Sequence, residues 1–130
     1  MTLATALSLV LLYAHPAAAT VALVESAALA HGVPRALLAS VCFGESRLGL
    51  APRYASLCGV RVRHVYVRDD VMSAHLAALS LARRRAECSS WPHALAAYRY
   101  GQGCGAPDRT GYVRRTLDLA ARIERAGGAP

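Results

Sequence analysis

Four cysteines constrain the fold of this chain more than any other feature of its sequence. They are Cys42, Cys58, Cys88 and Cys104, in a chain of 130 residues. An even number of cysteines in a small exported chain predicts a disulfide framework. Four cysteines allow three connectivities, and two equal spacings favour the pairs Cys42–Cys58 and Cys88–Cys104. A zinc site is the alternative, but the chain has no C-x-x-C pair and its histidines do not stand at ligand spacing from the cysteines.

The start of the chain predicts export to an oxidising compartment. Residues 3–12 form a short apolar run, and three alanines at 17–19 supply the small residues of a cleavage site. The run is too short to span a bilayer, and no second apolar run of spanning length follows. We expect residues 1–19 to be a signal peptide and residues 20–130 to form one domain in the periplasm or outside the cell, without stable membrane insertion. The alternative is an uncleaved N-terminal helix or anchor, since no basic side chain precedes the apolar run.

The charge of the chain is strongly positive and is carried by arginine alone. The sequence has 15 arginines, no lysine and 8 acidic residues, which gives a formal net charge of +7. Hydrophobic residues make up 55% of the chain, and this excludes a disordered protein. A basic protein suits an anionic partner, which is nucleic acid, a membrane surface or an acidic polymer. Because the arginines are dispersed and the chain is predicted to be exported, we expect no nucleic-acid partner.

Helical spacing and its punctuation predict an all-α fold in a single domain. Helices are expected over about 20–31, 35–45, 71–87, 91–98 and 110–126. Thr20, Asp69 or Asp70, and Ser89 or Ser90 are the predicted N-caps. The run at 61–67 alternates polar and apolar residues, as a short strand or an extended loop does. No partner strand is evident elsewhere in the sequence, which favours the loop.

One carboxylate lies on a helical face that should point into the protein. Leu38, Val41 and Cys42 form an apolar stripe on the second predicted helix, and Glu45 continues it. Burial disfavours the ionised form of a carboxyl group and raises its pKa, as a general acid requires near neutral pH. The alternative is a glutamate at a fraying helix end that turns to water or pairs with Arg47.

Three segments of the chain resemble motifs of the lytic transglycosylase domain of the soluble, goose-lysozyme-like type. The segment at 33–47, VPRALLASVCFGESR, resembles the family's first helix, which ends in a Glu-Ser pair. The segment at 94–101, ALAAYRYG, is similar to the family's Ala-Leu-Ala-Ala-Tyr-Asn-x-Gly motif. The segment at 110–117, TGYVRRTL, looks like the closing Thr-x-x-Tyr-Val-x-x-Val motif. The three segments occur in the family's order and span nearly all of the chain after residue 19.

This resemblance implies a monomeric, lysozyme-like helical domain with a central cleft that binds peptidoglycan glycan strands. The implied activity is lytic transglycosylation at the β-1,4 bond between N-acetylmuramic acid and N-acetylglucosamine, with a 1,6-anhydro product. Glu45 is then the single catalytic acid and base, because the muramic C6 hydroxyl supplies the nucleophile. No metal or cofactor is expected. Ser46 is implied to lie beside Glu45 at the cleft, Tyr98 to line the sugar subsite, and Tyr112 to reach the Glu45 carboxyl.

Two positions depart from the family's pattern. The family's Gly-Leu-Met-Gln block is matched most closely at 59–62, which implies substrate contacts for Gly59 and Val60 and places Val62 where the family has glutamine. Arg61 offers a polar side chain next to it. The family's asparagine after the Ala-Ala-Tyr is Arg99 here.

Two alternative functions stay open, and these departures motivate the first of them. One is a catalytically weak module that binds the cell wall. The other is a hydrolytic muramidase on the same scaffold, for which Asp69 or Asp70 has to reach the cleft. Tyr100 is an alternative to Tyr98 at the sugar subsite.

Overall fold

Six α-helices and one short β-hairpin form the part of the chain that the structure describes. The computed structural model describes residues 2–12, 15–51 and 56–128. The helices are α1 (Leu3–Val10), α2 (Ala18–His31), α3 (Arg35–Ser46), α4 (Asp70–Glu87), α5 (Trp91–Tyr100) and α6 (Tyr112–Ile123). The strands are β1 (Arg61–Val62) and β2 (Val65–Tyr66), and a π-helical turn (Glu124–Gly128) follows α6. The prediction of a mostly helical fold is confirmed.

Several helix ends follow the local signals of the sequence, and the start of α2 does not. Gly32 ends α2 in the left-handed conformation, and the Asp69 carboxylate caps α4 by accepting the Met72 N–H at 2.7 Å. The Ser90 hydroxyl caps α5 in the same way. Thr20 is not an N-cap, because α2 begins earlier, at Ala18, without a side-chain cap. Alanine is the best helix former, so the alanines before Thr20 extend the helix backwards.

The expectation of a loop at 61–67 was wrong, because the partner strand lies within the same run. Arg61 pairs with Tyr66 and Val62 pairs with Val65, in antiparallel register. The two residues between the strands have φ values of 50° and 67°, the left-handed values of a type I′ turn. That turn usually carries Asn-Gly or Asp-Gly, whereas here it is built from Arg and His and has no recognisable turn signal.

Helix α3 lies at the centre of the core. Every residue from Ala36 to Cys42 is buried, so this helix is covered on all sides. Helices α2 and α6 pack against it, while α4 packs against α2 and α5. The Ser40 hydroxyl donates a hydrogen bond to the Thr116 carbonyl at 2.7 Å and joins α3 to α6 inside the protein. A helix buried in this way holds its C-terminal residues, including Glu45, in one fixed position.

Two disulfides fix the loops around this core, and both predicted pairs are confirmed. Cys42–Cys58 joins α3 to the segment before β1, and Cys88–Cys104 joins the end of α4 to the loop after α5. Each closes a loop of the size that contributes about 3 kcal/mol in the chain-entropy model.

The segment predicted to be a signal peptide contains helix α1, which packs against the π-helical turn and against α2 and α6. Leu3, Ala6 and Leu7 are buried there, whereas Leu9 and Leu12 are exposed. Cleavage after residue 19 stays a prediction. Within the described ranges, no helix combines the length and the apolar character needed to cross a membrane.

Candidate active-site cleft

A cleft of about 1080 Å³ opens where the C-terminal end of α3 meets the hairpin, α5 and α6. Helix α3 contributes Phe43 and Glu45 to its wall, and α6 contributes Tyr112. Arg61 reaches the cleft from β1 and Arg99 from α5. Residues from four separate elements therefore meet around one carboxylate.

The Glu45 side chain is half-buried in this cleft, and burial is the main cause of a pKa raised above its ordinary value of 4.5. Its place in the last turn of α3 adds to this effect, because the helix dipole disfavours a negative charge at the C-terminal end. The guanidinium groups of Arg99 and Arg61 act in the opposite direction and offset part of the rise. Glu45 is thus a carboxyl that holds its proton to higher pH than an exposed glutamate does.

Gly59 touches the Glu45 carboxylate with its backbone. A β carbon at this position would overlap the carboxyl carbon and oxygen of Glu45. Its φ of +68° is also one that only glycine adopts without strain. Only glycine therefore allows the chain to pass this close to the carboxylate. The sequence resemblance pointed to Gly59 as a substrate contact, and the structure places it against the Glu45 side chain at the cleft wall.

Three groups hold the Gly59 segment in place. The Cys42–Cys58 disulfide ties the residue before Gly59 to α3, one turn before Glu45. The Ser73 hydroxyl on α4 accepts the Cys58 N–H at 2.9 Å. The Ser56 hydroxyl accepts the Val60 N–H at 3.2 Å and is itself 3.1 Å from the Ser73 hydroxyl. These buried bonds fix the backbone that packs on Glu45.

Ser46 points into the protein instead of lining the cleft. It is 1% exposed, and its hydroxyl donates to the Leu57 carbonyl and accepts the Gly49 N–H at 3.0 Å. Arg47 follows with a φ of 51° and ends α3 in the left-handed conformation. Ser46 therefore fixes the sharp turn directly after Glu45.

Tyr112 lines the same cleft as Glu45, and its hydroxyl is buried. No described residue gives this hydroxyl a hydrogen bond of good geometry, so it does not bond to Glu45 here. Burial, the Tyr98 ring and Glu45 raise its pKa, while Thr116 and Arg99 lower it in part. The hydroxyl keeps its proton and remains a donor. A buried polar group without a partner requires an explanation, and sites of function are where such groups occur.

Tyr98 is half-buried behind the cleft wall, not on it. Burial is the main cause of its raised pKa, the negative charge of Glu45 adds to the rise, and Arg99 acts against it. Its hydroxyl therefore lies within electrostatic range of Glu45. Tyr100, the alternative residue, is engaged elsewhere, since its hydroxyl donates to the Asp108 carboxylate at 2.7 Å.

Asp108 is a residue of the site region that the sequence did not indicate. Its carboxylate accepts the backbone N–H groups of Val113 and Arg114 at 3.0 and 3.1 Å, and so caps α6, whose N-cap is Gly111. Burial works against ionisation, but the Val113 N–H and the Tyr100 hydroxyl hold the Asp108 pKa below its ordinary range. This contact orients the first turn of α6, where Tyr112 lies. An aspartate several residues before a helix carries no local cap signal.

The hairpin places Val62, which departs from the family pattern, and its neighbour Arg61 in different surroundings. Arg61 lines the cleft, while the Val62 side chain is 50% exposed and outside it. Val60 is also outside the cleft lining, and its carbonyl accepts the Val67 N–H at 2.8 Å. Arg61 is therefore the residue of this segment that offers polar groups to the cleft.

Over residues 2–12, 15–51 and 56–128, no three His, Cys, Asp or Glu side chains lie close enough together to hold a metal ion. No family model, curated protein or solved structure matches this chain. The likeness to lytic transglycosylases thus rests on the three sequence segments.

Replacing Gly59 by alanine tests the contact with Glu45. Gly101 has nearly the same backbone conformation, with φ at +66°, and open space around its α carbon. We expect Gly101→Ala to cost about 1–2 kcal/mol of unfolding free energy through backbone strain alone. Gly59→Ala should cost more than Gly101→Ala, because the new methyl group also has to displace the Glu45 side chain. Urea denaturation measures both, and equal losses would contradict the contact.

Replacing Glu45 by glutamine tests the raised pKa through protein stability. Well below pH 4.5 the carboxyl is protonated in the folded and unfolded chains, so Glu45→Gln should match the original protein. As the pH rises, the unfolded chain ionises first and the folded protein loses stability relative to the variant. At neutral pH we expect Glu45→Gln to be the more stable protein. The exposed Glu87→Gln variant should show no such gain, and a less stable Glu45→Gln protein at neutral pH would contradict the raised pKa.

Proposed function

We propose that this protein is an exported lytic transglycosylase that cleaves peptidoglycan within a lysozyme-like helical domain. The reaction breaks the β-1,4 bond between N-acetylmuramic acid and N-acetylglucosamine and forms a 1,6-anhydro ring on the muramic sugar. Glu45 is the acid and base of this reaction. The two disulfides accord with a chain that functions in an oxidising compartment.

The observation that carries the proposal is a single carboxyl, with a pKa raised by burial, among the described residues that line a large cleft. Glu45 is the sole acidic side chain among the described residues that line the cleft, and burial raises its pKa. Glycosidases of the common type need a pair of carboxylates on the two sides of the bond. A reaction whose nucleophile comes from the substrate needs one, and lytic transglycosylation is such a reaction.

In the first step, the protonated Glu45 carboxyl donates its proton to the glycosidic oxygen, and the bond from this oxygen to the muramic C1 breaks. The positive charge that develops at C1 can be shared by the acetamido group of the same sugar, as in substrate-assisted glycosidases. Glu45 leaves this step as a carboxylate. The Tyr112 hydroxyl keeps its proton and has no hydrogen-bond partner of good geometry among the described residues. It is therefore suited to donate a hydrogen bond that stabilises this carboxylate.

In the second step, the Glu45 carboxylate removes the proton from the muramic C6 hydroxyl. The oxygen of this hydroxyl bonds to C1 at the same time and closes the anhydro ring. The carboxyl is thereby protonated again and ready for the next cycle. One proton has left and one has returned, so no water is consumed. Gly59 and the buried end of α3 hold the Glu45 carboxyl in one position. The carboxyl can therefore carry out both proton transfers without moving.

Hydrolysis on the same scaffold is the nearest alternative, but the positions of the acidic residues give it little support. Asp69 and Asp70 were the residues that had to reach the cleft, and neither lines it. Asp69 is engaged as the cap of α4, and Asp70 is an exposed residue in the first turn of that helix. A binding module without activity is the other alternative, and the same experiment separates all three.

The test is to incubate the purified protein with isolated peptidoglycan sacculi and to identify the released fragments by mass spectrometry. We expect fragments that end in 1,6-anhydro-muramic acid. Glu45→Gln should lower their release by at least about a thousandfold, since it removes both the acid and the base. Glu87→Gln, which removes an exposed carboxylate paired with Arg84, should leave release unchanged.

Three results would overturn this proposal. Fragments with reducing ends in place of anhydro ends would show hydrolysis. Binding to sacculi without release of any fragment would show a binding module. Equal release by Glu45→Gln and the original protein would remove Glu45 from the catalytic role.

A further inference from the structure

The cleft around Glu45 carries far more positive than negative charge. Arg47, Arg61, Arg99 and Arg115 line it, against one carboxylate. A single arginine would be enough to balance Glu45. The excess charge makes the cleft a site for an anion, because opposite charges attract strongly in a partly enclosed space.

Three of these arginines stack on aromatic rings of the same wall. The guanidinium carbon of Arg99 lies 5.2 Å from the centre of the Tyr112 ring, and that of Arg61 lies 5.6 Å from the centre of the Tyr66 ring. Arg47 lies over Phe43 at 5.4 Å. A guanidinium over an aromatic ring is attracted by the electrostatic field of the ring and not by hydrogen bonds, so this contact leaves its N–H groups available. Planar groups held in this way are prepared to bind a carboxylate through two parallel hydrogen bonds.

The N–H groups of Arg61 and Arg99 are not consumed by the protein. Across the described ranges, neither side chain forms an ion pair within 4.0 Å of a carboxylate, Glu45 included, and neither donates a side-chain hydrogen bond. Outside the cleft, by contrast, Arg84 pairs with Glu87 and donates to it at 3.2 Å. Arg61 and Arg99 nonetheless lie close enough to Glu45 to act on its charge. Both arginines are therefore cations close to Glu45 whose N–H groups are available to a ligand.

We infer that Arg61 and Arg99 bind a carboxylate of the substrate next to the bond that is cleaved, so that the cleft selects acidic glycans over neutral ones. This inference rests on the proposed function. Arg99 stands where the family that the chain resembles has asparagine, and Arg61 stands where its Gly-Leu-Met-Gln block has methionine. Amides bind neutral and acidic sugars alike, whereas two guanidinium groups favour an acidic one.

The substrate offers this chemistry from two sources. Strands that have lost their peptides carry a carboxylate on the lactyl ether of each muramic acid. Strands that keep their peptides carry carboxylates along the peptide, and the lactyl group is then an amide. Both present a carboxylate on the muramic sugar, and neutral N-acetylglucosamine polymers present none.

The experiment measures binding in the Glu45→Gln background, which prevents cleavage and removes the charge that Arg61 and Arg99 act on. The variants are Arg61→Gln with Arg99→Gln, and a control with Arg83→Gln and Arg125→Gln. The control changes the net charge equally at two exposed arginines outside the cleft. The ligands are soluble peptidoglycan strands with peptides, strands stripped of peptides by an amidase, and both after their carboxylates are converted to neutral amides.

We expect the cleft variant to weaken binding of the carboxylate-bearing strands by about 10- to 100-fold. On the amidated strands, its loss should be less than about twofold, and the control should lose less than about twofold on every ligand at physiological salt. A loss confined to the peptide-bearing strands assigns the carboxylate to the peptide. A loss on the stripped strands assigns it to the lactyl group.

An equal loss on native and amidated strands, or equal losses for the cleft and control variants, would overturn the inference. Failure of the proposed function has a different signature. If the original protein releases anhydro-ended fragments equally well from native and amidated sacculi, the function stands and the selection of acidic glycans falls. If it releases none but binds acidic strands through Arg61 and Arg99, the catalytic proposal falls and the anion site stands.

Discussion

The contact between the Glu45 carboxylate and the backbone of Gly59 is the constraint on which the rest of the site depends. A carboxyl at the last turn of a buried helix loses water, and this raises its pKa. The loop at Gly59 completes that burial, and it approaches so closely because glycine has no side chain. The Cys42–Cys58 disulfide and the Ser56–Ser73 pair hold the loop there. The same disulfide that stabilises the small core therefore also shapes the chemistry of its one cleft carboxyl.

Burial and the cleft arginines have opposite effects on the pKa of Glu45. Burial favours the protonated carboxyl, while Arg61 and Arg99 favour the ionised one. The proposed reaction requires Glu45 to give up a proton and to take one back, and these opposing effects act on the two forms that it needs. The arginines keep their N–H groups for a ligand at the same time, since stacking on Tyr66 and Tyr112 holds them without hydrogen bonds.

Structural features that depend on neighbouring residues in the sequence were predictable. Features that depend on contacts between distant parts of the chain were not. Gly32, Asp69 and Ser90 end or begin helices by local chemistry, and the apolar stripe led to Glu45. The equal cysteine spacings indicated both disulfides. The hairpin was missed because its turn uses Arg63 and His64 in place of glycine or asparagine. Ser46 points inward and Asp108 caps α6 because of contacts that form only in the folded protein. No residue spacing in the sequence predicts either feature.

The most direct test of a buried, proton-donating Glu45 compares its titration with the pH dependence of the reaction. Carbon-13 NMR of the Glu45 carboxyl gives its pKa in the free protein, and initial rates at low sacculus concentration give the pH profile of kcat/KM for fragment release. The account predicts a pKa above 4.5 and a rate that falls, as the pH rises, through that same value. A Glu45 carboxyl that titrates at or below 4.5, or a rate that falls at a clearly different pH, would contradict the account.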